Sequence, residues 1–542
     1  MVKYNVIYLV FPQGEYLMRK KRVNHSAVGE AYWDRLDNAA KLIPAITSTR
    51  SPNVFRLTAV LCDDVVPEIL QSALEQALSI MPAFSLKLNR GLFWYYFDFN
   101  TEKPKVKKES RYPCAPIYKA KGDGFLFRVT YYGKRINFDI YHALSDGMGA
   151  ANFMRLMVYC YYNRLLGDEV PEEYIRAEAS ELARDFNEDS FVVNVPDGAR
   201  TEKSSEKEPE AYRISGYSYD GTRLGVLAAI LPTDSMLTIA REAGATLSEY
   251  MCALLIWSIY NTSYRLTSRS RPIVISMPVN LRGMFESATL KNFFGHMNIA
   301  VKPGREDRFE DVLEKVKQQF VQSLEKGRFE RQITAHVNIE RIPGIKFVPL
   351  FIKNIVMRLI YAPSAKYHTM TFSNIGKIKL PDFIADKVDR FEVTIGGSHT
   401  HPKKASMCSY KNNLVLMFSS TVDDNSIEQF LVSFLTKKGI DVTVSSNETP
   451  APVKPPRPSR EEKAKLKEEK RGKKALAKEE KRSSKARRKE NKVRIKTEKR
   501  ENKQAKKLRK YAAKAERKAV RAENRQKKRE LKKNKSAAEV QK

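Results

Sequence analysis

The chain changes character at Ala451. From there to Lys542 it carries 39 Lys and Arg against 13 Asp and Glu, a net +26 of the whole-chain +34, so the first 450 residues hold only +8. A segment this charged and this poor in apolar residues cannot pay for its own ordering with a buried core. Leu466, Leu476, Val493, Ile495, Leu508, Val520 and Leu531 form no heptad seam, which argues against a coiled coil. Glu–Lys pairs four apart and frequent alanine allow an exposed helix in places. Everything that folds into a conventional core therefore lies before residue 450, and Pro452–Arg460 reads as a stiff linker.

Within the body, strand-like and helix-like segments interleave. "VFRLTAVLC" (54–62) reads as a strand, and Pro67 opens a helix with Leu70, Ala73, Leu74, Ala77, Leu78 and Met81 at helical spacing. "GLFWYYFDF" (91–99) and "GFLFRVTYYGKRINFDIY" (124–141) read as strands, the latter broken into a hairpin at Tyr132-Gly133-Lys134. A helix follows Gly147 and ends at Gly167. Residues 187–222 are polar and read as a crossing between two halves. The second half repeats the ingredients: a strand at "RLGVLAAILP", two helices with a cap near Thr246, strands at "RPIVISMPVNLR", "MNIAVKP", "HTMTFSNIG", "RFEVTIGG" and "NLVLMFSSTV", and a last helix at "SIEQFLVSFLTKKGI". The pattern predicts an α/β or α+β class with two sheets.

Five cysteines, Cys62, Cys114, Cys160, Cys252 and Cys408, are scattered with no C-x-x-C, which fits a reducing compartment better than a disulfide framework or structural zinc. The N-terminal "MVKYNVIYLVFPQGEYLMRKK" reads as a first strand rather than a signal peptide. "FVPLFIKNIVMRLIY" (347–361) is the nearest approach to a membrane span, and Lys353 and Arg358 interrupt it.

The most informative short stretch is "RINFDIYHALSDGMGAANF" (135–153). It ends a strand on His142, then places Asp146 and Gly147 across a turn into a helix. Histidine is the natural general base near neutral pH. Asp146 has two uses open to it: to orient the imidazole, or to turn away and pin the loop through an arginine. His296, His368, His399 and His401 form no ligand set with carboxylates or cysteines, so "SHTH" is expected to be a solvated loop and no metal is expected.

This stretch resembles the His-x-x-x-Asp-Gly motif of the CoA-dependent acyltransferase superfamily, which includes chloramphenicol acetyltransferases, alcohol acetyltransferases and peptide-synthetase condensation domains. "RLDNAAKLIPAI" (35–46), "LEQALSIMPAFSLKL" (74–88) and "GLFWYY" (91–96) resemble the opening of bacterial alcohol-acetyltransferase-like members. "SMPVNLRGMFESATLKNFFGHMNIAV" (276–301) and "TFSNIGKIKLP" (371–381) resemble second-half segments. The resemblance spans about residues 30–445. It implies two chloramphenicol-acetyltransferase-like lobes packed as a V around a central channel, an N-terminal lobe at 1–186, a crossover at 187–222, a C-terminal lobe at 223–446, a linker at 447–460 and a charged helical or disordered tail at 461–542. It implies His142 as general base, Asp146 facing away to pair with Arg282, and Ser373, Asn374 and Asn280 as polar candidates along the channel or at the thioester oxygen.

The implied activity is transfer of an acetyl or short acyl group from acyl-CoA, as co-substrate rather than bound cofactor, to an alcohol or amine. Condensation domains carry a further histidine where this chain has Tyr141, which favours a stand-alone acyltransferase over one using a carrier-bound donor; a monomeric, cytoplasmic enzyme is expected. A third reading is a catalytically silent scaffold. The tail would attract polyanions such as nucleic acid or the ribosome, or anionic membrane lipid, the last placing the protein peripherally at a membrane surface.

Overall fold

The computed structural model describes residues 33–118, 124–167, 188–196, 199, 209–219, 223–266, 270–398, 400–447 and seven positions between 514 and 528. The expected N-terminal strand, part of the crossover and most of the basic tail lie outside them. Two compact units, Met1–Thr449 and Pro450–Lys542, make up the chain. In the second, Lys514, Glu516, Lys518, Val520, Asn524, Lys527 and Lys528 are helical and exposed.

The first unit has fifteen strands among the described residues: β1 (Trp33–Arg35), β2 (Val54–Leu61), β3 (Leu86–Arg90), β4 (Tyr95–Phe99), β5 (Lys107–Lys108), β6 (Phe127–Tyr132), β7 (Arg135–Tyr141), β8 (Gly225–Pro232), β9 (Ile273–Asn280), β10 (Phe294–Val301), β11 (Met370–Lys377), β12 (Val388–Ile395), β13 (Lys403–Tyr410), β14 (Asn413–Ser420) and β15 (Thr443–Ser446). They form a five-stranded sheet ordered β12-β2-β7-β6-β5, a seven-stranded sheet ordered β10-β9-β11-β13-β14-β8-β15, and a small sheet ordered β1-β4-β3.

The crossover separates the chain but not the sheets. β12 belongs to the second half, yet it pairs antiparallel with β2, Phe391 opposite Ala59 and Val393 opposite Leu57. The two large sheets meet there, where Cys408 of β13 donates its thiol to the Phe391 carbonyl at 3.2 Å and Ser406 donates to that of Val393.

All eight residues of β2 are buried, as expected of a strand covered on both faces. β7 alternates Ile136, Phe138 and Ile140 with Asn137, Asp139 and Tyr141, and both faces are buried. The polar face is satisfied internally. Asp139 accepts from Arg56 at 2.7 and 2.9 Å and from Arg128 at 2.8 Å. Burial pushes the Asp139 carboxyl up, but the two guanidiniums outweigh it and hold it below the usual range. The 20-residue helix Gly147–Leu166 lies in the first core, with Phe153, Met154, Met157 and Tyr161 among its buried side chains.

Candidate active site

β7 delivers His142 to the end of the first sheet. Its backbone N–H donates to the Asn53 carbonyl at 2.9 Å, continuing the β2–β7 ladder by one residue. The imidazole is half-buried between the rings of Phe55, 5.0 Å away, and Phe294, 5.6 Å away. That apolar setting pushes the imidazole below its ordinary value, favouring the neutral ring that a base requires. The preceding residue, Tyr141, is fully buried. Its hydroxyl shares a 2.9 Å hydrogen bond with Thr47 Oγ1, its ring stacks on Tyr118, and burial pushes the hydroxyl upward, so it stays neutral.

The partner of His142 comes from the second half. His142 Nδ1 lies 3.0 Å from Asn292 Oδ1. Asn292 Nδ2 donates to Asp37 Oδ2 at 2.9 Å, and the Asn292 backbone N–H donates to the same oxygen at 3.2 Å. Donation to Asp37 fixes which way the amide points. Its oxygen faces the ring, so Nδ1 carries the proton and Nε2 keeps its lone pair. Among the described residues none hydrogen-bonds Nε2. Asp37 also accepts from the Ala40 N–H at 2.7 Å. It is buried, and burial pushes its carboxyl up to about 7 against the lowering effect of Asn292.

Asp146 does not touch the imidazole. As N-cap of the helix it accepts from the Met148 and Gly149 N–H groups, both at 3.1 Å. Its two oxygens also take a bidentate contact from Arg282, at 2.9 and 3.1 Å, and the Phe293 N–H at 3.0 Å. Arg282 in turn donates to the carbonyls of Thr289 and Lys291, both at 2.8 Å. One carboxylate therefore fixes both the turn after His142 and the 287–293 loop that brings Asn292 to the ring. Ser145 adds a 2.6 Å bond to the Leu290 carbonyl. Lys291 is buried, pairing with Asp34 at 2.7 Å and donating to the Arg35 carbonyl.

Gly147 lies under β11: a Cβ there would come within 2.6 Å of Ile375 Cδ1. This puts the strand carrying Ser373 and Asn374 against the start of the helix. Asn374 is exposed, donates to Ser248 Oγ at 3.0 Å and accepts from the Gly376 N–H. Asn280 accepts from the Arg282 N–H at 3.1 Å and from its guanidinium at 3.2 Å. It supports the arginine that grips Asp146.

"SHTH" departs from the solvated loop expected of it. His401 is buried and stacks on His368 with 3.7 Å between ring centroids. Its nitrogens contact the Ala365 carbonyl and Thr400 Oγ1. The fold closes over the pair because β13 starts two residues later. His399 lies outside the described residues. A cavity of about 600 Å³ beside Leu61, Cys62, Tyr132 and Arg390 sits at the hairpin end of β7 and does not include His142.

Asn292 and Asp37 escape any reading by spacing. They lie 150 residues after and 105 before the histidine. Both fall inside segments that carry the family resemblance, which was the available signal.

The first unit has the fold of CoA-dependent acyltransferases such as TRI101. TRI101 of F. sporotrichioides, solved with coenzyme A and T-2, aligns with a TM-score of 0.53 at 12% identity, over 76% of this chain and 99% of that one. TRI101 of F. graminearum, solved with coenzyme A and T-2 mycotoxin, aligns at 0.52 and 12% identity, over 76% of this chain and 100% of the other. The TRI3 trichothecene 15-O-acetyltransferase of Fusarium sporotrichioides aligns at 0.48 and 10% identity, over 76% and 95%. At such identities the likeness is one of fold. No protein-family model and no curated protein matches the sequence.

Proposed function

We propose that the protein transfers an acetyl or short acyl group from acyl-CoA to an alcohol or amine, with His142 as general base. The observation that carries this is the Asp37–Asn292–His142 chain, which protonates Nδ1 and leaves Nε2 as the basic nitrogen. The acceptor O–H or N–H gives its proton to Nε2 while its heteroatom attacks the thioester carbonyl carbon. The tetrahedral adduct collapses by breaking the C–S bond, and the imidazolium returns the proton to the departing thiolate. No acyl-enzyme is needed, since the two substrates meet directly and positioning supplies much of the rate. The coenzyme A complexes of TRI101 support the choice of donor. Tyr141, buried and bonded to Thr47, offers no second base of the kind expected in condensation domains.

The test is thiol release from acetyl-CoA with a panel of alcohols and amines. Acceptor-dependent release is expected, and His142→Ala should reduce it ~10²–10⁴-fold while leaving the circular dichroism spectrum unchanged. Undiminished turnover in that variant would end the assignment.

A further inference from the structure

The helix Leu350–Tyr361 is packed inside out. Its buried side carries Leu350, Lys353 and Asn354. Lys353 Nζ donates to the Phe93 carbonyl at 3.0 Å and lies 3.2 Å from the Trp94 ring centroid. Asn354 donates to the Tyr95 hydroxyl at 2.8 Å, and Arg358 donates to the Ala45 carbonyl. At about 100° per residue, the opposite side is Phe351, Ile352, Ile355, Val356 and Leu359, with Ile360 at its edge in the last turn. All six are exposed, Leu359 at 69% and Ile360 at 70%, and Phe347 extends the patch at 78%. With ordinary side-chain sizes the six present on the order of 600 Å², at the upper limit for the largest apolar patch of a monomer. A surface helix ordinarily turns this face inward and its lysine outward.

The charge around the patch says what covers it. From Arg341 to Pro381 the chain has seven Lys and Arg and no Asp or Glu. Lys353 lies on the buried side and Lys366 pairs with Glu210, but the other five leave the stripe within a basic stretch of chain, which complements an anionic lipid surface. It does not complement a second copy of itself, which would set like charges against each other. Twelve residues of helix span about 18 Å, short of the roughly 30 Å hydrocarbon core, and no described helix is long and apolar enough to cross a membrane. Such a helix lies in the interface plane with its apolar face among the acyl chains.

We infer that the helix Leu350–Tyr361 docks the protein on an anionic membrane surface. The inference uses only this helix and its surroundings, and its readout is independent of acyl transfer. The experiment compares the full chain with an Ile355→Glu/Leu359→Glu variant in sedimentation with vesicles of phosphatidylcholine, alone or mixed with phosphatidylglycerol, at raised salt. Both proteins keep residues 451–542, so attraction of that basic segment cancels. The natural chain should bind the mixed vesicles, and the variant should partition at least ~10-fold more weakly at an unchanged melting temperature. Equal partitioning overturns the inference. So does a natural chain that sediments as a dimer without lipid while the variant is monomeric, which would assign the face to a second copy. If the double variant fails to fold, Ile360→Trp decides: blue-shifted emission quenched by brominated lipid supports docking, and an unshifted spectrum refutes it.

Discussion

Replacing Asn292 by Ala should detach the imidazole from the second half of the chain. The amide is the described partner of His142 Nδ1 at 3.0 Å and a donor to Asp37 at 2.9 Å. A neutral hydrogen bond is worth about 1 kcal/mol and one to a charged group about 1.5–3 kcal/mol, so we expect ~2–4 kcal/mol of lost stability in chemical denaturation. A positioned base contributes ~10²–10⁴ in rate. An imidazole free to turn gives up part of that, so kcat should fall ~10–100-fold. The KM for acyl-CoA should change little, because Asn292 faces the ring and Asp37. The pH profile separates positioning from bulk destabilisation. Burial lowers the His142 pKa, and the Asn292 bond is among the influences that raise it. Removing that bond lowers it further, keeps more base unprotonated in acid, and moves the acidic limb of kcat/KM to lower pH. Thiol release measured across pH reads all of this. A natural kcat with an unmoved acidic limb would refute the relay through Asn292.

Asp37, pushed from 3.8 to about 7 by burial, binds its proton more tightly folded than unfolded. Folding stability attributable to it should therefore decline as pH rises from about 4 to about 7; Asp37→Asn should flatten that slope in denaturant titrations, and a persisting slope would show it arises elsewhere. Asp146→Ala strips Arg282 of its carboxylate and the helix of its cap, and should cost ~3–5 kcal/mol by the same titration. Gly149→Ala would place a methyl 2.1 Å from Ser145 Oγ and 2.4 Å from the Leu290 carbonyl. It should destabilise by ~1–3 kcal/mol and depress thiol release, because the displaced loop carries Asn292.

Local signals read well where backbone chemistry dictates structure. The strand at 54–62 is found at Val54–Leu61, and the helix after Pro67 ends at Ile80. Gly133, at φ 52°, turns the hairpin, and Gly167, at φ 67°, ends the long helix. Thr246 caps its helix through a reciprocal pair with Glu249. "GLFWYYFDF" reads as strand over its full length, yet its first four residues form a turn closed by the Gly91 N–H on the Trp94 carbonyl, and β4 begins at Tyr95. The helix Lys326–Arg341 and the one at Leu350–Tyr361 escape the periodicity reading. In the latter the apolar residues face outward, so the pattern looks like a broken apolar run rather than a stripe over a core. The candidate site divides the same way. His142 and Asp146 sit in one short turn, whereas Asn292 and Asp37 reach it through long-range packing that leaves no periodic trace.

The placement of β12 bears on how the chain is made. When the first half leaves the ribosome, its sheet lacks the strand that covers β2. The row "VFRLTAVL" then has open amide and carbonyl groups along one edge, the arrangement most prone to pairing with a neighbouring chain. That edge stays open until residue 395 has been synthesised, more than 300 residues after Leu61. Completion of the amino-terminal sheet is thus timed by translation of the carboxyl-terminal half, and neither half closes its hydrogen-bonding by itself.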